Sequence, residues 1–334
     1  MRPDSSTPTL DDVARLAGVS RATASRVLNS GTTVHEDKRR AVEAAVAKLG
    51  YVPNHLARAL ATQRAGVVAL MLPENEDRIF SDPFFSQLYH GALQGFTGSR
   101  TRVVLSVSQP GDAPDAMARY LSSGHLDGAI VASHHGWEIA RQLHATGRPV
   151  VFIGDPGISG APYVDIAQEE GVRLAVDHLV ARGATRIATI TGPLDMVVGR
   201  RRLEAFRDTL ADHGLMPVAA VAGGFTREGG EAAAQELLAR EAGFDGLFVA
   251  SDLMARGALR ALRRAGREVP RDLLLASFDD SVIATESDPQ LTSVGNPAPE
   301  LAAEASRMLR AILAGEAVDS PCILPTRISV RESA

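Results

Sequence analysis

The sequence predicts an α/β protein in which a small helical head precedes two doubly wound lobes, each a parallel sheet covered on both faces by helices. Three observations lead there. Residues 9–29, TLDDVARLAGVSRATASRVLN, hold two capped helical stretches separated by a glycine turn. From Gly66 onward, seven apolar strand-like runs alternate with amphipathic helical stretches. Charge divides at the same place: ten Lys/Arg against six Asp/Glu through Arg64 give +4, which leaves −9 for the rest of a chain whose total is −5.

In the head, Thr9 is positioned to cap a first helix, with Asp12 as the return partner of a capping box. Leu10, Val13, Ala14 and Ala17 recur at helical spacing and give it one apolar face. Gly18 supplies the left-handed residue that ends it, Val19 anchors the turn, and Ser20 caps a second helix. There Ala24, Val27 and Leu28 face inward, while Arg21, Ala22 and Arg26 face outward near the N-terminal end. Two helices at this spacing place the second in the major groove of DNA. A basic head on an acidic remainder fits DNA contact at one end only. A third helix follows over residues 36–49, with Ala41, Val42, Ala45, Val46 and Leu49 as its core stripe and Gly50 as its stop. Lys38, Arg39 and Arg40 in its first turn oppose the helix dipole, which points to phosphate rather than folding as their purpose.

Next come Tyr51-Val52-Pro53 and then NHLARALAT, residues 54–62, helix-prone but too short to be stable alone in water. The strand-like runs of the remainder are GVVALML, RVVLSVS, DGAIVAS, PVVFIG, RIATITG, DGLFVAS and LLLASF. Between them, 169–182, 200–213 and 252–265 read as amphipathic helices.

Composition sets the bounds. At 334 residues the chain is too long for one compact domain. Hydrophobic content of 45% with 4% aromatics suits an alanine-rich α/β protein. One cysteine, Cys322, excludes an internal disulfide framework and disfavours a cysteine-based metal site. Residues 1–8 are polar and short, so no secretory signal is expected, no apolar run is long enough to span a bilayer, and a cytoplasmic protein is expected.

The run DVARLAGVS…T.SRVLN resembles the headpiece of LacI/GalR-type bacterial transcription regulators. The resemblance continues through TVHEDKRRAVEAAVAKLGYVPNHLARALA and, more loosely, to the chain's end. It implies a headpiece over 1–53, a hinge helix and linker over 54–65, and an effector-binding and dimerisation domain of the type I periplasmic-binding-protein fold over 66–334. The lobes are expected at 66–165 with 282–296, and at 166–281 with 297–328, the chain crossing near Asp165, Ser281 and Asn296. The hinge would fold when two copies pair over the minor groove, with Leu60 as a wedge between base pairs. The residues expected at DNA are Thr9, Ser20, Arg21, Ala22, Thr23, Ser25, Arg26, Asn29, His35, Tyr51, Asn54, Ala57 and Leu60. His35 stands where the family usually has serine, a better helix cap.

In open α/β sheets, ligands sit outside the carboxyl ends of the strands. That rule nominates 82–85, 133–135, Asp155, Asp165, 200–202, Phe225, 251–252 and 279–280. Arginine and carboxylates beside an aromatic wall suit a polyhydroxylated ligand. By resemblance, Arg202 matches the family's effector-binding arginine, Asp279 its aspartate, Phe225 a stacking aromatic, and SDPFF its NPFF loop. The expected effector set is Asp82, Phe84, Phe85, Ser133, Asp155, Arg202, Phe225, Ser251 and Asp279. The chain departs from the family at Ser251, Ile166 and Gly154, and the loop PENEDRIF before SDPFF is longer and more acidic than usual. Asp252 reads better as the cap of the helix after it than as a ligand contact, and Phe225 as either core or platform. His134 and His135 read as a polar loop at the pocket mouth, since no spaced His or Cys cluster supports a metal.

There is no GxxxxGK[ST], no GxGxxG after a strand and no GxSxG elbow, so no enzyme is expected, and neither cofactor nor metal. The expectation is a homodimeric repressor that binds double-stranded operator DNA, without a membrane, under a small-molecule effector. A sugar or sugar phosphate leads and a nucleoside or purine follows. The rival class is a sugar-binding protein with no regulatory role.

Overall fold

The computed structural model describes residues 8–28, 34–52, 64–109, 111–241 and 243–334. It divides into two compact units, Met1–Ala65 and Gly66–Ala334. The first holds α1 (Leu10–Leu16), α2 (Arg21–Leu28) and α3 (Glu36–Leu49). The capping box is formed: the Thr9 amide donates to Asp12 Oδ2 at 2.9 Å, and the Asp12 amide to Thr9 Oγ1 at 3.3 Å. Gly18 sits at φ +62° at the turn into α2, a conformation that costs glycine little. Ser20 Oγ accepts from the Thr23 amide at 3.2 Å and so caps α2. Val13, Ala14, Ala24, Val42 and Ala45 form the core, with Val19, Val27 and Leu28 packed around it. His35 gives α3 no side-chain cap; its ring lies 3.5 Å from Asp37 instead. A serine there would restore roughly 1 kcal/mol.

The second unit is built on two six-stranded sheets. The first sheet holds β1 (Val67–Leu72), β2 (Arg102–Val107), β3 (Gly128–Ala132), β4 (Val150–Ile153), β5 (Tyr163–Ile166) and β11 (Cys322–Leu324). Its order is β11-β5-β4-β3-β1-β2, all parallel. The second sheet holds β6 (Ile187–Thr191), β7 (Ala220–Ala222), β8 (Gly246–Val249), β9 (Leu274–Asp279), β10 (Thr292–Gly295) and β12 (Ile328–Ser329). Its order is β12-β10-β9-β8-β6-β7, parallel except for β12 against β10. Both sheets reverse winding direction at equivalent places, between β1 and β3 and between β6 and β8. Those reversals are where an open α/β sheet leaves a crevice.

The first lobe carries α4 (Glu76–Ser81), α5 (Pro83–Gly95), α6 (Ala116–Ser122) and α7 (Glu138–Ala145). The second carries α8 (Gln168–Ala181), α9 (Val197–Asp212), α10 (Arg227–Arg240), α11 (Asp252–Arg264) and α12 (Val282–Glu286). Then α13 (Ala298–Ala314) returns to the first lobe and packs on α5, β3 and β4. A side chain at Gly91 would collide with the Pro299 backbone, so glycine lets α5 and α13 cross at backbone contact.

This pairing corrects the expected lobe boundaries. Residues 282–295 stay with the second lobe, because β10 pairs with β9; 298–324 belong to the first, because β11 pairs with β5. The chain crosses after β5, after β10 and between β11 and β12, and not at Ser281. Ser281 instead caps α12, its Oγ accepting from the Ile283 amide, and this short helix turns the chain back into its own sheet.

Candidate functional site

A cleft of about 730 Å³, open mouth included, lies between the two lobes at the carboxyl ends of their strands. It is where the winding reversals place it. Among the described residues, the non-glycine residues with positive φ are Ser133 (58°), Phe225 (56°), Asp279 (108°) and Asp280 (49°). Three of the four, Ser133, Phe225 and Asp279, line the cleft. Each such conformation costs on the order of 1–3 kcal/mol, and strain of this kind gathers at binding sites.

On the second lobe's side, Arg202 emerges from α9, 3% exposed. Its Nε donates to Gln168 Oε1 at 2.9 Å and its Nη1 to the Ala250 carbonyl at 2.6 Å. The guanidinium carbon lies 3.6 Å from the Phe278 ring centroid, so backbone and ring both hold the head group. Asp279 ends β9 and accepts from Asn296 Nδ2 at 3.1 Å. Burial pushes its carboxyl up to about 8, against the pull of Arg202. The Phe225 ring rests on Gly192, where any side chain would strike it. It is 5% exposed and lines the cleft, so it is both core and wall.

Ser251 lines the cleft and caps α11, its Oγ accepting from the Met254 amide at 3.3 Å. Asp252, expected to be that cap, is fully buried behind it. It accepts from Ser277 Oγ at 2.6 Å, Ser293 Oγ at 2.7 Å and the Ser281 amide at 2.7 Å. It is a tie between β9, β10 and α12. The correction is one of helix position: at the first residue of the helix, the side chain points back into the sheet and not over the terminus.

On the first lobe's side, Asp82 caps α5, its Oδ1 accepting from the Phe84 amide at 3.0 Å, and burial raises its pKa. Phe84 lines the cleft. Phe85 was expected to do the same but is 2% exposed in the core, its ring edge-on to Phe84 at 5.5 Å. Successive helical residues point about 100° apart, so only one of the pair can face the ligand. Asp155 lines the cleft and accepts from the Gly157 amide at 2.7 Å. Arg201 donates to both Glu169 oxygens, at 2.5 and 2.8 Å, and Arg200 Nη1 to the Leu194 carbonyl at 2.8 Å, which leaves Arg202 as the arginine of the three in the cleft.

Sequence reasoning missed Arg78, Gln168 and Asn296, all of which line the cleft, and Glu74, which pairs with Arg78. The spacing of Glu74 and Arg78, one helical turn apart, was the available signal. The His134–His135 loop is at the cleft and joins the lobes. His135 Nδ1 lies 2.8 Å from Asp195 Oδ2 of the second lobe, and Nε2 lies 3.1 Å from Glu74 Oε2 of the first. The Gly136 amide also donates to the Asp195 carbonyl at 3.1 Å. The bond to Glu74 leads in raising the His135 pKa, burial opposes it, and the bond to Asp195 adds to it. Among the described residues, no group of three or more His, Cys, Asp or Glu side chains is placed to hold a metal ion. Nor is any helix among them long and apolar enough to cross a membrane.

In the helical unit, Arg21, Ala22 and Arg26 form an exposed face of α2, with Arg21 3.6 Å from Asp11 and Arg26 Nε donating to the Ala22 carbonyl at 3.3 Å. Thr23 and Ser25 lie partly exposed beside them, His35 is exposed, and Tyr51 packs on the core. Thr9 and Ser20 are committed to caps. Asn29, Asn54, Ala57 and Leu60, with the expected hinge helix, lie outside the described residues.

Comparison with known proteins agrees with both units. Residues 9–54 match the family model for bacterial regulatory proteins of the lacI family, and residues 176–334 the periplasmic binding protein-like domain. The HTH-type transcriptional regulator CelR of Thermobifida fusca is 39% identical over 335 residues, covering 98% of each chain. A solved transcriptional regulator CelR–cellobiose complex superposes with a TM-score of 0.76 at 38% identity, covering 98% of this chain and 100% of that one. The lac repressor dimer bound to operator and the anti-inducer ONPF superposes at 0.87 and 27% identity, covering 98% and 99%. These relatives are regulators and not enzymes. The chain belongs to the lacI family of bacterial regulatory proteins.

Proposed function

We propose that this chain is a sequence-specific repressor that acts in the cytoplasm as a homodimer and is controlled by a sugar held between its lobes. The observation that carries the reading is the cleft. Arg202 and Asp279 both reach it without being locked to one another, beside the aromatic wall of Phe225. That is the chemistry of a ligand with many hydroxyls and an apolar face. The cellobiose complex of a relative with 38% identity supports a sugar over a nucleoside. The exposed face of Arg21, Ala22 and Arg26 supports reading of base edges, one head per half-site of a near-palindromic operator. The expected hinge, with Leu60 as wedge, would hold a bent minor groove.

Control follows from linkage. A sugar that touches both lobes favours the arrangement in which they are joined, and it shifts DNA affinity only by its differential affinity for the two states. The test is a thermal-shift screen of the purified protein over neutral sugars, sugar phosphates and nucleosides. A stabilising sugar whose effect vanishes in Arg202→Met bears the reading out. Stabilisation by nucleosides alone overturns it.

A further inference from the structure

Gly66 is where the chain leaves the helical unit and enters the first lobe. It sits at φ +71°, a conformation that costs glycine little. Hydrogen bonds hold it and its neighbour from both adjacent strands. The Gly66 amide donates to Asp127 Oδ2 at 2.8 Å. The Arg102 amide donates to the Gly66 carbonyl at 2.9 Å, and the Asp127 amide to the Val67 carbonyl at 2.7 Å. Gly66 and Asp127 thus stand side by side at the starts of β1 and β3, which pair in parallel from Val68 opposite Gly128 to Met71 opposite Val131.

The same two strands are joined again at the cleft. Just beyond β1 comes Glu74, and just beyond β3 come Ser133 and His135. Ser133 Oγ donates to Glu74 Oε2 at 2.9 Å, and His135 Nε2 lies 3.1 Å from that oxygen. Between the two joints, every residue from Val68 to Leu72 and from Gly128 to Ala132 is buried. A strand pair fastened at both ends and closely packed moves as one body, here over roughly 16 Å at about 3.3 Å per residue.

The second lobe repeats the clamp where no second unit is attached. Asp245 directly precedes β8 as Asp127 directly precedes β3, and Ile187 lies opposite Gly246 as Val68 lies opposite Gly128. The Asp245 carboxylate accepts from the Thr185 amide at 3.0 and 3.1 Å, Thr185 Oγ1 at 3.0 Å and the Arg186 amide at 2.7 Å. Its amide donates to the Arg186 carbonyl at 3.0 Å. There the clamped segment follows α8 of the same lobe. The two aspartates do the same work for their sheets and differ in what is joined to the strand they hold.

Resting on the operator reading above, we propose that Asp127 is a positioning residue for sequence-specific DNA binding. Through Gly66 it fixes the point and direction at which each protomer's helical unit is attached to β1 and β3, and with them to the cleft. Two heads that read half-sites at a set spacing need that fixed attachment. Phosphate contacts, which supply binding to random DNA, do not.

The experiment is fluorescence anisotropy of the full chain on labelled DNA from its own upstream region and on random DNA, at one salt concentration. The proteins are wild type, Asp127→Ala, Asp127→Asn, Gly66→Ala and Asp245→Ala, each with a thermal melt. Asp245→Ala removes at least as many bonds as Asp127→Ala and should lower the melting temperature at least as much, yet bind both DNAs as wild type does. Asp127→Ala should bind the upstream DNA about threefold to tenfold more weakly, with affinity for random DNA unchanged. Asp127→Asn keeps an acceptor for the Gly66 amide and should recover most of the loss. Gly66→Ala disturbs the clamp from its other side; the added carbon meets open space, so the strain is confined to the backbone turn. It should reproduce Asp127→Ala, and it decides the matter if that variant does not fold. Wild-type specific affinity in Asp127→Ala or Gly66→Ala, or an equal loss in Asp245→Ala, overturns the proposal. No preference of wild type for upstream over random DNA overturns the operator reading and the proposal with it.

Discussion

The bond between His135 and Asp195 joins the lobes, so it should make effector affinity depend on pH. His135 Nδ1 and Asp195 Oδ2 are 2.8 Å apart, and Glu74 holds the far side of the ring. Both carboxylates favour the imidazolium, and the pKa lies above its ordinary 6.5. The sign follows. Glu74 lies on the same lobe as His135 and raises the pKa in either arrangement, so the part that depends on joining is the further rise from Asp195, a contribution fully present below the open-state value and lost as pH rises through the joined-state one. Binding of a sugar that needs the joined lobes is therefore tightest in mild acid. The side chains of His135 and Asp195 are 34% and 57% exposed, so water screens the attraction and it must be discounted. A charge-assisted pair of this exposure contributes about 0.5–1 kcal/mol, roughly twofold to fivefold in affinity. In Asp195→Asn the amide oxygen still accepts from the ring but the charge is gone. Titration of the effector from pH 6 to 8.5 should show wild type weakening through that window and Asp195→Asn weakening less, with 1 M salt shrinking the difference. Identical pH profiles for the two proteins would refute the latch.

Arg202→Met should abolish effector-induced stabilisation while DNA binding persists. It should lower the apo melting point modestly, since the Ala250 carbonyl loses a donor worth about 1–3 kcal/mol when buried; thermal shift reads both. Arg26→Ala should cost about 1–3 kcal/mol on the operator and relax preference at one base position. An equal loss on random DNA, measured by fluorescence anisotropy at fixed salt, would assign Arg26 to phosphate. Leu60→Ala should reduce bending of operator DNA with the dimer intact, as circular-permutation gel shifts and sedimentation would show.

Strand identity was legible where burial on both faces forces an unbroken apolar run. All seven expected runs are strands, with ends within a residue or two. The five others are short or weakly apolar. Tyr163–Ile166 carries a charge, Ala220–Ala222 has three residues, Thr292–Gly295 is half polar, and Cys322–Leu324 and Ile328–Ser329 lie on sheet edges. Nothing local tells a strand which sheet it joins, and this produced the misplaced crossing at Ser281. The winding rule located the cleft without any contact being known, because strand order and carboxyl ends are properties of topology. It missed Arg78 and Gln168 because both sit on helices, where polar residues read as solvated, and their burial depends on which face meets the other lobe. The strain at Ser133 and Phe225 left no trace in composition either: serine and phenylalanine give no hint of positive φ, and aspartate at Asp279 gives only a weak one.

The central claim is that a sugar in the cleft governs DNA binding by the helical unit. The measurement is fluorescence anisotropy of the full chain on labelled DNA from its own upstream region, at stated salt, with and without the stabilising sugar. Wild type should bind this DNA at least about a thousandfold more tightly than random DNA, and the sugar should shift that affinity about fivefold or more. Arg202→Met should bind equally tightly and ignore the sugar. Specific binding that the sugar leaves unchanged in wild type, or no preference over random DNA, would contradict the account.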